Sequence, residues 1–309
     1  SCARVASRAV GSPRLSFRHC VGVDMTGASD QLPDRSLFIK GGRTGILLVH
    51  GLGGTPVEMR YVAQAFARQG YTVYCCQLAG HCGTPEELRR STWQEWYASV
   101  ETALGRLSQH CTTIFAGGLS MGAMLALHLA FNHQERVNGL LLYAPAFQLD
   151  GWAMPLRSWL LRIARPATLY IDFDLPERDP YGIKDERMRA IVVSGMQAGG
   201  GATFSTPLRC FANMNALAGV VRRNLKFIRQ PTFIVHPRVD DMADLRNAFH
   251  LQRNLGGLVD CVVLDNSYHI VTLDQQRDIV ADRSTQFVAR VQEAIESGSA
   301  QRTGRTDKA

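Results

Sequence analysis

At 309 residues, with 46% hydrophobic and 20% charged side chains, the chain has apolar material for one large α/β domain carrying an insertion, and its composition is not that of a disordered polymer. The longest apolar run, Met121–Phe131, contains His128 and falls short of the roughly 18 residues a membrane-spanning helix needs. Of the net charge of +7, residues 1–24 carry +3 and residues 299–309 carry +2, so no basic stripe with interleaved aromatics marks a nucleic-acid partner.

Eight cysteines, at 2, 20, 75, 76, 82, 111, 210 and 261, show neither metal-ligand spacing nor the density of a disulfide scaffold. A reducing, cytoplasmic setting follows as the expectation. Residues 1–24 are rich in Arg and Ser but lack the apolar core of a secretory signal. A transit peptide shares that composition; the simpler expectation is a disordered or non-native extension ahead of Met25.

From there strand and helix signals alternate, as in a parallel sheet covered on both faces. Ile46–His50 is a continuous apolar run, as a strand buried on both faces requires. Thr55-Pro56-Val57-Glu58 offers an N-cap, a first-turn proline and a capping-box glutamate, opening a helix that ends at Gly70. A strand over Tyr71–Leu78 follows. Thr92 and Glu95 form a second capping box, for a helix reaching about Gln109. Thr113–Gly117 is a strand, Met121–His133 a helix and Gly139–Ala144 a strand. Between about 145 and 230 the rhythm breaks, with Pro155, Pro166, Pro176, Pro180 and Pro207, a Gly199–Gly201 run and no clear buried strand. These residues read as an inserted cap. Alternation resumes with the strand Pro231–His236, a helix over about Ala243–Leu255, the strand Val259–Leu264 and a helix over about Asp282–Glu296. The domain spans 25–298, and 299–309 read as a basic disordered tail.

Gly118-Leu119-Ser120-Met121-Gly122 lies between a strand and a helix. In that context Gly-x-Ser-x-Gly is a nucleophile elbow, which lifts a serine hydroxyl above the sheet beside a helix N-terminus. A serine nucleophile needs a base, and the base an orienting carboxylate. Five histidines follow: 128, 133, 236, 250 and 269. His128 and His133 lie too close to the elbow to fold back on it. His236 precedes any acid partner, and His250 falls mid-helix. His269 follows the last strand in a polar loop and is the candidate base. The acid should follow the strand ending at His236, where Asp240, Asp241 and Asp244 are candidates. Asp240 has the best turn length, Asp241 is an alternative, and Asp244 suits a helix first turn. Oxyanion donors are expected from the backbone N–H of Met121 and, in His50-Gly51-Leu52-Gly53-Gly54, that of Leu52. The glycine loop lacks the lysine and hydroxyl of a phosphate cradle. His50 reads as structural.

Together, HGLGGTP (50–56), LAGHCGTPEEL (78–88), TWQEWYASV (92–100), GGLSMGA (117–123), RVDDM (238–242) and SYHIVTLD (267–274) resemble bacterial carboxylesterases related to monoacylglycerol lipases, of the α/β-hydrolase superfamily. The resemblance covers about residues 40–280 and is weak across the cap. It implies a triad of Ser120, Asp240 and His269, an oxyanion hole of Leu52 and Met121, a compact cap and no cofactor or metal. Gly80-His81-Cys82 departs from the family's Gly-His-Gly. The expected reaction is hydrolysis of short- to medium-chain acyl esters or monoacylglycerols through an acyl-enzyme, by a monomer or homodimer. Acyl transfer, thioester, amide or polyester cleavage, and ligand binding without catalysis are the alternatives. Trp152, Met154, Leu156, Trp159 and Leu160 are candidates to line the acyl pocket or to pack the cap onto the core, and Gly199–Gly201 reads as a hinge or an exposed loop.

Overall fold

The computed structural model describes residues 34–154, 173–197, 201–202 and 205–306, the last nine of these as backbone alone. Residues 1–24, Leu156, Trp159, Leu160, Gly199 and Gly200 lie outside the described residues, so the expectations placed on them are not addressed by the fold.

The first strands are β1 (Leu37–Ile39), β2 (Thr44–Val49), β3 (Thr72–Cys76), β4 (Thr113–Leu119) and β5 (Gly139–Tyr143). After an insertion holding two three-residue strands, β6 (Asp174–Pro176) and β7 (Ser205–Pro207), the sheet resumes with β8 (Thr232–Pro237) and β9 (Val259–Leu264). The seven-stranded order is β1-β3-β2-β4-β5-β8-β9, parallel except for β1. Every residue of β2, β3, β5 and β8 is buried, which is why these segments read as unbroken apolar runs. Successive side chains feed opposite faces. Leu47 and Val49 join one core, Ile46 and Leu48 the other.

The helices are α1 (Arg60–Arg68), α2 (Pro85–Arg90), α3 (Trp93–Ser108), α4 (Met121–Asn132), α5 (Glu186–Gln197), α6 (Leu208–Asn224), α7 (Arg246–Asn254) and α8 (Arg277–Thr306). The first core takes residues from α3, α4, α6 and α7, and the second from α1 and α8.

Several expectations need correction. Pro56–Met59 is a 3₁₀ turn ahead of α1, and the capping box expected at Thr55 does not close. The Thr55 side chain accepts from the Val57 N–H at 3.3 Å, whereas the Glu58 carboxylate turns inward to the Gly51 N–H at 2.9 Å. The expected box at Thr92 and Glu95 does form, and α2 carries another at Thr84 and Glu87. β1 is too short and too exposed to leave an alternating pattern. The helix expected over Ala243–Leu255 is cut to α7 because Asp240 and Asp244 hold the preceding backbone in turns. The final helix starts earlier than Asp282 and continues to Thr306, through most of the segment expected to be a disordered tail. Among its described residues the insertion holds α5 and α6 besides β6 and β7, and α6 packs Cys210, Phe211, Met214, Leu217 and Val221 into the first core.

Two buried histidines make the fold acid-sensitive. His50 Nδ1 donates to the Gly51 carbonyl at 2.8 Å and its Nε2 accepts from the Leu78 N–H at 3.3 Å. Its ring meets His81 edge-on at 5.0 Å, and His81 in turn meets Trp96 at 5.7 Å. Burial pushes His50 down to about 3 and His81 down to about 4. Below the ordinary value of 6.5 the unfolded chain binds protons that the folded chain refuses. The stability these rings contribute is therefore complete above about pH 6.5 and lost as pH falls, at about 1.4 kcal/mol per pH unit for each ring. Glu58, pushed by burial from 4.5 up to about 7, works in the opposite sense between those values. His81→Phe keeps a ring against His50 and Trp96 but cannot take a proton. Its unfolding free energy, from urea titrations at pH 6 and pH 5, is expected to fall with acid less steeply than that of the unmodified chain, by about 1.4 kcal/mol per unit. An unchanged slope would contradict the account.

Candidate active site

Ser120 sits between β4 and α4 with φ 56° and ψ −114°, a conformation that costs energy for a residue with a side chain. Its N–H is held by the Tyr143 carbonyl at 2.9 Å. The turn tolerates no bulk on either side. A Cβ on Gly118 would lie 2.4 Å from the Gly122 carbonyl carbon, and one on Gly122 would lie 2.3 Å from the Val49 oxygen. The two glycines let β4, β2 and α4 close together, and the strained serine is presented at the top of the sheet.

Asp240 follows β8. Its Oδ1 accepts from the Met242 and Ala243 N–H groups, both at 2.8 Å, and its Oδ2 lies 2.8 Å from His269 Nδ1. Burial opposes its charge, but His269, His236 and the Ala243 N–H outweigh burial and hold its pKa below the usual carboxylate range. The carboxylate fixes the proton on Nδ1 of His269, leaving Nε2 as the basic nitrogen. That atom is buried and has no hydrogen-bond partner among the described residues. Burial disfavours the His269 imidazolium, yet Asp240, Asp241 and Glu58 more than compensate and raise its pKa above the ordinary value.

Of the three candidate acids, Asp240 is the one that meets the imidazole. Asp241 instead accepts from the backbone N–H of His269 at 3.1 Å and of Gly182 at 2.9 Å. Asp244 accepts from the Arg246 N–H and guanidinium at a helix start. His236, set aside because it precedes the candidate acids in the chain, has its Nε2 3.4 Å from Asp240 Oδ2 while donating to the Ala243 carbonyl at 2.8 Å. It closes the loop that carries the acid.

Ser120 and His269 line one cavity of about 110 Å³ with Leu52, Glu58, Glu177 and a set of apolar side chains. Met121 opens α4, where N–H groups lack intrahelical partners. Of the five candidates for the apolar wall, Trp152 and Met154 are described, and neither lines the cavity. Leu149, Val192, Met196, Phe211, Met214, Met242 and Ile270 form the wall, whereas Met154 packs against the first core and Trp152, 56% exposed, meets Tyr268 edge-on at 5.5 Å. Among the described residues, α5 supplies Val192 and Met196 and α6 supplies Phe211 and Met214, while Leu149 comes from the start of the insertion and Met242 and Ile270 from the loops after β8 and β9.

Two carboxylates in the cavity escape the sequence reading. Glu58 lies behind the glycine loop with its oxygen on the Gly51 N–H. Glu177 accepts from the Thr206 hydroxyl at 3.1 Å, and burial raises its pKa. The capping pattern conceals Glu58. Glu177 follows a three-residue strand in an irregular stretch that leaves no signal. Among the described residues no cluster of His, Cys, Asp and Glu has the geometry to hold a metal ion, and no helix is long and apolar enough to cross a membrane.

The profile of the serine aminopeptidase S33 family (Hydrolase_4) matches residues 42–276. A thermostable monoacylglycerol lipase of Bacillus sp. (strain H-257) is 31% identical over 270 residues, covering 85% of this chain and 98% of that protein. The chain belongs to the S33 family. A carboxylesterase of Bacillus subtilis (strain 168) is 26% identical over 256 residues, covering 82% of this chain and 95% of the relative. A solved structure from work on the metagenome-derived lipolytic enzymes LipS and LipT superposes with a TM-score of 0.69 at 28% identity, over 82% of this chain and 97% of that one. A soluble variant of monoglyceride lipase from Saccharomyces cerevisiae, bound to a substrate analogue, reaches 0.70 at 16% identity over 83% and 90%, and shows the shared fold alone. This S33 member is a hydrolase with the α/β-hydrolase fold and a mostly parallel sheet flanked by helices.

Proposed function

We propose that this S33 member cleaves carboxylic esters through an acyl-enzyme, with Ser120 as nucleophile, His269 as base and acid, and Asp240 as the carboxylate that orients the imidazole. One observation carries the reading: the unpartnered Nε2 of an imidazole anchored by Asp240 is buried in the cavity that Ser120 lines. Ser120 Oγ attacks the ester carbonyl as its proton passes to Nε2. The oxyanion is stabilised by the backbone N–H groups of Leu52 and Met121 at the positive end of α4. His269 then protonates the leaving alcohol, and water repeats the sequence to release the acid.

The residues between β5 and β8 act as a cap, supplying Leu149, Val192, Met196, Phe211 and Met214 to an apolar wall suited to an acyl chain. Each methylene buried there contributes about 0.8 kcal/mol. The names of the two Bacillus relatives, a monoacylglycerol lipase and a carboxylesterase, support carboxylic esters, monoacylglycerols among them, as the substrate class; short to medium acyl chains are the expected range. Glu177, beside Thr206 in the same cavity, supplies an acceptor for the hydroxyls of a glycerol leaving group. Glu177→Leu is therefore expected to lower kcat/KM for a monoacylglycerol at least about 10-fold relative to the methyl ester of the same acid. An equal effect on both esters would remove Glu177 from the alcohol side. A panel of esters from acetate to palmitate, as methyl and glyceryl esters, tests the class. Turnover of thioesters or anilides with no ester cleavage would overturn it.

A further inference from the structure

Asp241 and Asp274 are buried carboxylates, 2% and 0% exposed, and the proposed chemistry uses neither. Each bridges the same two pieces of chain. Asp241 accepts the Gly182 N–H through Oδ2 at 2.9 Å and the His269 N–H through Oδ1 at 3.1 Å. Asp274 accepts the Lys184 and Asp185 N–H groups through Oδ1, at 2.9 and 2.8 Å, and the Tyr268 N–H through Oδ2 at 2.6 Å. The Ile270 N–H adds a direct bond to the Gly182 carbonyl at 2.8 Å. On one side of this double clip lies the loop carrying His269. On the other lies the cap turn at 181–185.

That turn is held in costly geometry. Tyr181 carries the strain at φ 55°, and Gly182 at φ 71° takes a conformation open to glycine. Tyr181 lines the cavity with Ser120 and His269. A Cβ on Gly182 would come within 2.8 Å of the Ile270 side chain and 3.4 Å of that of His269. The segment entering the cap is joined to the acid loop by backbone bonds, with Gly151 N–H on the Met242 carbonyl at 3.0 Å and Ala153 N–H on the Asp241 carbonyl at 3.0 Å.

We infer that Asp241 and Asp274 are positioning residues that make the seat of the cap and the placement of the catalytic imidazole one cooperative unit, so that a substrate pressing on Tyr181 is felt at His269. A carboxylate suits this task because both its oxygens accept, whereas an amide offers one acceptor and turns a donor toward the other N–H. Asp→Asn therefore leaves one of the two chain segments unheld. The inference rests on the proposed role of His269, but its first readout does not depend on activity.

In the wild-type chain, hydrogen exchange is expected to open 181–185 and 267–270 together, as one unit well protected from solvent. In Asp241→Asn and in Asp274→Asn both segments should exchange faster together. Asp241→Asn should also reduce kcat/KM by about 10-fold and change the preference between short and long acyl esters. It should move the acid limb of the pH profile to lower pH, because the imidazole is faced by Asp240, Asp241 and Glu58, with Glu177 and His236 also within electrostatic reach. Independent exchange of the two segments in wild type would overturn the inference without touching Ser120 chemistry. So would a folded Asp241→Asn that loses thermal stability while its pH limb and chain-length preference stay fixed. Should neither variant fold, the wild-type exchange experiment decides alone.

Discussion

Replacing Ser120 by Ala is expected to leave a folded protein whose ester turnover falls by at least about three orders of magnitude. The loss follows from removing the nucleophile itself. What remains is the oxyanion donors and substrate binding, which accelerate attack by water only modestly. The fold should survive, with stability close to that of the unmodified chain. Ser120 holds φ 56° at the top of β4, and the Tyr143 carbonyl bond to its N–H does not involve the hydroxyl. A small side chain fits a turn whose glycine neighbours are crowded by Val49 and Gly122. The check is a steady-state rate with a short-chain ester alongside a thermal melt. Turnover within about 10-fold of wild type in a folded variant would remove Ser120 from the chemistry.

The second large effect separates two adjacent aspartates. Asp240→Asn is expected to reduce kcat by about 10⁴-fold, since the amide can present its NH₂ to Nδ1 and stabilise the wrong tautomer, with the proton on Nε2. Asp241→Asn, which touches only the His269 main chain and not the ring, should cost about 10-fold. The pH dependence has a definite sign. His269 must be neutral to accept the Ser120 proton, and its pKa is raised, so kcat/KM should climb with pH through a midpoint above the ordinary 6.5. Asp240→Asn should lower that midpoint as well as the plateau. The reverse ranking of the two variants, both folded, would transfer the orienting role to Asp241.

Much of this was legible because chemistry and topology constrain each other. A serine flanked by small residues between an apolar strand and an apolar helix has few uses other than an elbow. The order serine, acid, histidine at successive strand ends follows from the winding of the sheet. Sequence offers both Asp240 and Asp241, since both lie within a turn of β8 and differ only in which way the side chain points. The structure separates them through the Met242 and Ala243 N–H groups, which draw the Asp240 carboxylate toward the imidazole.

Glu58 shows the limit of local patterns. Its spacing from Thr55 is that of a capping box, yet the Gly51 N–H competes for the carboxylate and wins. That donor belongs to a loop seven residues away and becomes available only when the chain doubles back. The insertion hid its contributions for another reason. Phe211, Met214, Leu217 and Val221 recur at helical spacing and would have revealed α6, whereas the prolines and glycines around them gave the whole segment the look of a loop. Glu177, in an irregular stretch after β6, has no periodicity to betray it. Nor does a sequence show that Asp274, five residues past His269, turns back to hold Tyr268.

Labelling with a fluorophosphonate, followed by digestion and peptide mapping, tests the central claim most directly. The adduct should form on the peptide containing Ser120, should be absent from Ser120→Ala, and should form faster as pH rises and His269 loses its proton. An adduct on any other serine, or labelling that persists in Ser120→Ala, would contradict the account.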